Sequence, residues 1–177
     1  ITALVTIFKK TLSPYTVPLY AVFQGLALGG ISAIYNNMYT GIVQQAIFLT
    51  FGIFAALLFA YKTKIIEPTE NFKLGVFAAT GGIALVYIVS FIMSFFGSGL
   101  SVMNPQNASL MSIGFSIFVV LIAALNLVLD FDFIEQGVEN SAPKYMEWYA
   151  SFGLMVTLIW LYLEILRLLA KMQSRRN

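Results

Sequence analysis

Ala123-Ala124-Leu125-Asn126-Leu127-Val128-Leu129-Asp130-Phe131-Asp132-Phe133-Ile134-Glu135-Gln136-Gly137 is the stretch that decides the fold. It runs carboxylates off the end of an apolar segment that begins near Ser109 and is long enough to cross a bilayer, for which about 20 residues suffice. Sequence on both sides of it is of the same kind. Apolar blocks of about 20 residues recur without a sustained two-residue alternation, the mark of spanning helices and not of an outer-membrane barrel.

The totals agree. Of 177 residues 59% are hydrophobic and only 10% charged, with a mean hydropathy of +0.85, whereas about a quarter of a soluble domain is charged. The expectation is an all-α, polytopic membrane helix bundle that forms one transmembrane domain over residues 1–177, in contact with the lipid bilayer. There is no cysteine and no histidine, which removes disulfides, thiolate and imidazole metal sites and Ser/His catalysis. A pH response would have to come from carboxylates or lysines. No zinc motif and no Gly-x-Gly-Asp pairing of an intramembrane aspartyl protease occurs, so we expect neither an enzyme nor a metal cofactor. The net charge of +2 is too small and scattered for a nucleic-acid partner.

Outward from the deciding stretch, spans are expected at about Val17–Tyr35, Gly41–Tyr61, Leu74–Phe96, from Ser109 into the acidic stretch, and Tyr145–Ala170. Ser13-Pro14 reads as a break before the first of these, with Pro18 in its opening turn. Ile1 to Phe8, apolar and followed by Lys9-Lys10, reads as the tail of a truncated span. Five complete spans and a stump result. Gly25 and Gly29, extended by Ser32 and Ala33, form a small-residue step at which another helix could approach closely. Lys9, Lys10, Lys62, Lys64, Lys73 and Lys144 fall on one side if the spans alternate, and the positive-inside rule puts that side in the cytoplasm. A full crossing of the last span, about 39 Å at ~1.5 Å per residue, is the favoured reading and would place the basic tail Lys171–Asn177 on the other side, whereas a re-entrant segment would return it to the cytoplasmic side.

Candidate functional residues are the intramembrane polar ones. Asn126 and Asp130 share one helix line, while Asp132, Glu135 and Glu139 cluster on the opposite face. The latter three would ordinarily mark a helix end in water at the interface. An ionisable residue such as Asp130 at membrane depth is by default a functional candidate. Glu164 lies inside the last span. It either pairs locally with Arg167, three residues on, or belongs to an ion or proton path. Gln24 could add a neutral polar group to the same interior.

These residues resemble the Bax inhibitor-1/YccA family, also called the transmembrane Bax inhibitor motif family. The resemblance lies in Leu129-Asp130-Phe131-Asp132-Phe133-Ile134, in Leu161-Tyr162-Leu163-Glu164 with Ile165-Leu166-Arg167-Leu168-Leu169 after it, in Pro143-Lys144-Tyr145-Met146-Glu147-Trp148-Tyr149, and in Phe23-Gln24-Gly25-Leu26, the last two similar to a bacterial branch. It implies seven helices in the full-length protein with the last one central, so that the first helix and most of the second would precede Ile1. It also implies a bacterial inner-membrane location and a pH-sensitive Ca²⁺ leak gated by paired acids from the last two helices. Asp130, Glu164, Asp132 and Asn126 would sense ion or proton, with Arg167, Gln24, Glu135 and Glu147 in support. The alternative it implies is a non-transporting regulator that binds a membrane protein such as the FtsH protease. Asp130 and Glu164 stand 34 positions apart, and an ungapped alignment to the family would put Thr157 or a neighbour where the second acid belongs. Gln24 stands where related sequences lead one to expect Glu.

Overall fold

The computed structural model describes residues 2–97, 99–107 and 109–176. Ile1, Ser98, Ala108 and Asn177, which the sequence reading places in the stump, a link, and the tail, lie outside the described residues. Among the described residues there is no strand. The chain forms α1 (Thr2–Phe8), α2 (Ser13–Met38), α3 (Ile42–Lys62), α4 (Glu70–Phe95), α5 (Leu110–Glu139) and α6 (Tyr145–Arg176), with single 3-10 turns at Lys10–Leu12 and Ser101–Met103. Five of these helices, α2 to α6, are long and apolar enough to cross a membrane. Their outward faces carry large exposed apolar side chains such as Phe48, Phe59, Phe77, Phe91 and Phe95. In water that surface would be an aggregation liability; facing hydrocarbon it is the ordinary exterior of a spanning bundle.

Helix ends follow capping chemistry more than hydropathy. Ser13-Pro14 does not break α2 but starts it, since proline in the first turn forgoes a backbone bond that has no partner there anyway. Pro18 therefore lies inside the helix and costs it one ladder bond. In α4, Thr69 accepts a hydrogen bond from the Phe72 amide and begins the helix at Glu70, ahead of the apolar run from Leu74. Ser109 does the same for the Ser112 amide at the start of α5. Between α2 and α3 the reversal needs a left-handed residue, and Gly41 supplies it at φ +84°.

Successive long helices run antiparallel, and α6 is the one the others gather around. It packs on α2, α3 and α5, and through Glu164 it reaches α4 as well. The main core lies between α3, α5 and α6, where Ile42, Ala46, Ala123, Leu127, Leu161, Leu166 and Ala170 are wholly enclosed. Ile83, Val119 and Ile122 form a smaller core between α4 and α5. The small-residue step of α2 behaves differently from the expectation. A Cβ added at Gly25 or Gly29 would meet nothing within 4 Å. Both glycines line an open crevice of about 380 Å³ with Thr50, Phe51, Leu158 and Tyr162. Beside it a 2.7 Å hydrogen bond between Ser32 and Tyr162 joins α2 to α6, which also meet where Tyr20 packs on Phe152.

Candidate functional site

At the lysine-rich end of the bundle the acids of α5 are tied to its neighbours. Asp132 Oδ2 lies 2.8 Å from Lys73 Nζ at the start of α4, and Glu70 shares the same ammonium at 3.2 Å. Gln136 donates to Asp132 at 2.6 Å. Tyr61 of α3 donates its hydroxyl proton to Glu135. Asp132 and Glu135 thus join helices, whereas Glu139 is exposed as a helix-end acid would be. All three border an open crevice of about 960 Å³ whose apolar wall includes Phe54, Leu58, Phe131 and Leu154. Glu147 is exposed and borders a separate hollow of about 590 Å³ with Pro143 and Met146.

One turn deeper, the stripe of Asn126 and Asp130 divides between two neighbours. Asn126 faces α4, donating to Thr80 Oγ1 at 2.8 Å and to its own helix at Ile122 O. Asp130 faces α6, where a Cβ built on Gly153 would stand 3.6 Å from its Oδ1. The hydroxyl of Thr157, one turn further along α6, is its polar neighbour. Its Oδ2 is buried without a hydrogen-bond partner, the one such side-chain atom among the described residues. A methyl at Gly153 would therefore fit in ordinary contact with Asp130.

Glu164 lies elsewhere. It is 2% exposed, accepts from Tyr87 of α4 at 2.5 Å, and takes both oxygens to Arg167 Nη1 at 2.8 and 3.0 Å. Arg167 in turn donates to the Tyr87 oxygen at 3.0 Å. The local Glu164–Arg167 pair is therefore present, but the guanidinium turns into the bundle and not outward to the interface. From Thr157 to Glu164 is seven residues of α6, about 10 Å at ~1.5 Å per residue, so Asp130 and Glu164 do not share a site. Gln24 is half-buried and makes no side-chain hydrogen bond among the described residues.

Sequence reasoning missed Lys171. Taken as the first residue of a polar tail, it is instead wholly enclosed, in a helix that continues to Arg176. Its ammonium donates to Val102 O at 2.6 Å, Ser116 Oγ at 2.8 Å and Ser112 O at 3.2 Å. One signal was available. At about 100° per residue, Gly153, Thr157, Glu164 and Lys171 fall within about 40° of one line on α6, with Arg167 beside it. That face forms a polar line along the bundle from Asp130 to the link between α4 and α5, interrupted by Trp160, which packs on both cores.

With no cysteine or histidine in the chain, oxygens and cations are the only chemistry this line offers, and its oxygens suit hard cations or protons. No group of three or more acids able to hold a metal ion occurs among the described residues. No curated protein and no solved structure matches the chain. The sequence model of the family described as Bax inhibitor 1 like matches residues 1–174. With that match over nearly its whole length, and with five helices long and apolar enough to span a bilayer, the chain belongs to the Bax inhibitor 1 like family and is a multi-pass integral membrane protein.

Proposed function

We propose that this protein is a pH-sensitive cation leak, for Ca²⁺ in the first instance, in a bacterial inner membrane, and that Asp130 is its gating group. The observation that carries this reading is the enclosed, unpartnered Oδ2 of Asp130 at the α5–α6 contact. A carboxylate with one oxygen buried and unpartnered is costly when charged, and the cost falls if the helices part, if water enters, or if a cation binds. The charge on Asp130 and the closure of α5 on α6 are thereby coupled. Glu164, already neutralised by Arg167, serves in this scheme as a fixed strut and not as a second sensor.

The test is Ca²⁺ flux into liposomes that hold the full-length protein between pH 6 and 8. Wild type should show a flux that varies with pH, and Asp130→Asn should flatten that dependence. Absence of flux from folded wild-type protein would overturn the reading. It would favour a non-transporting regulator that engages another membrane protein such as the FtsH protease. For that second reading the specific support is the open, largely apolar crevice at Gly25 and Gly29, between α2, α3 and α6, where an added Cβ would meet nothing within 4 Å.

A further inference from the structure

Lys171 is the buried charge that the gating scheme leaves unused. Three oxygens converge on its ammonium, two of them backbone carbonyls and one a serine hydroxyl, and none belongs to a carboxylate. The acid on the same face of α6, Glu164, is taken up by Arg167 and Tyr87. The next charge along that face is thus a second cation, Arg167, and the Lys171 ammonium is solvated by oxygen dipoles. A dehydrated metal cation is held by such dipoles in the same way. The oxygens are also fixed in advance. Ser112 Oγ donates to Val102 O at 3.1 Å, and Ser109 caps the Ser112 amide, so the link and the first turns of α5 hold the acceptors in place.

We propose that these three oxygens are a seat for a metal cation at the end of the polar line opposite Asp130, and that the Lys171 ammonium fills it as a tethered plug. The plugging role rests on the leak proposed above; the seat itself does not. A neutral donor would suffice to tie the link to α6. An ammonium enclosed without a counter-charge is expensive, and its use here puts a positive charge where a permeating cation would otherwise sit.

Lys171→Met is the informative change, because methionine ends where the lysine Cε lies and leaves only the ammonium position vacant. For the full-length chain in detergent, the midpoint of thermal unfolding is compared in NaCl, KCl and CaCl₂ against choline chloride at matched ionic strength. A metal cation that enters the vacated seat stabilises the variant by mass action and leaves wild type unmoved. Equal responses of the two proteins would overturn the seat. In liposomes, Lys171→Met should raise Ca²⁺ flux on the order of tenfold, since an ion bound by dipoles alone can leave again, whereas Lys171→Arg should behave as wild type. Variant-specific stabilisation with no flux from any protein would sink the leak and keep the seat. Raised flux without that stabilisation would sink the seat. If Lys171→Met fails to fold, Lys171→Gln repeats the comparison. Failure of both in every salt counts against the proposal, because an open seat should refill.

Discussion

Asp130 of α5 faces Gly153 of α6 so closely that a methyl group on Gly153 would stand 3.6 Å from its Oδ1. That distance is ordinary van der Waals contact, so the space admits a methyl and little more. Gly153→Ala should fold and gain up to about 1 kcal/mol in helix preference. Gly153→Leu, which must displace α5, should lose about 1–3 kcal/mol. Thermal unfolding of both variants in one detergent checks the pair; equal midpoints would show that the two helices do not touch here.

The Glu164–Arg167–Tyr87 cluster makes a sharper demand. Glu164→Gln leaves the partly buried guanidinium without its counter-charge, and such a loss costs about 1–3 kcal/mol. Glu164→Gln combined with Arg167→Met removes both charges and should recover most of that. Stability of the double variant at or below that of the single would contradict the arrangement.

Asn126 and Thr80 bind α5 to α4. A double-mutant cycle of Asn126→Ala and Thr80→Val should return a coupling of about 0.6 kcal/mol, with about 1.7 as the upper end for hydrogen bonds inside membranes. Additive effects would mean that the two side chains do not meet.

Leu161 is fully enclosed where α3, α5 and α6 join. Leu161→Ala opens a cavity there and should cost about 2–5 kcal/mol in reversible unfolding. The same substitution at exposed Leu26 of α2 should have little effect, because a lipid-facing leucine loses only contacts that acyl chains replace.

Spans were legible in the sequence because apolar run length is all that a bilayer requires of a helix. Their ends were not, since Thr69 and Ser109 set them by hydrogen bonding and Pro14 by its ring, signals that hydropathy does not weigh. The i, i+3 spacing of Glu164 and Arg167 gave their pair directly. Antiparallel helices already set Asp130 and Glu164 at different depths, and the neighbour of Asp130 is Thr157, the position an ungapped alignment pointed to. Tyr87 and Thr80 had no local signal, and Lys171 had only its place on the face of α6 that carries Gly153, Thr157 and Glu164. Tyr87 lies 77 residues from Glu164, and Lys171 finds its oxygens 55 to 69 residues back along the chain.

Because Gly153, Thr157, Glu164, Arg167 and Lys171 lie along one strip of a single unbroken helix, they form a common shaft. A twist of α6 about its own axis would carry Gly153 and Thr157 off Asp130 and draw Lys171 off its oxygens in the same movement. Opposite faces of the membrane would then be geared together through torsion of one rod, with no relay of side-chain motions needed between them.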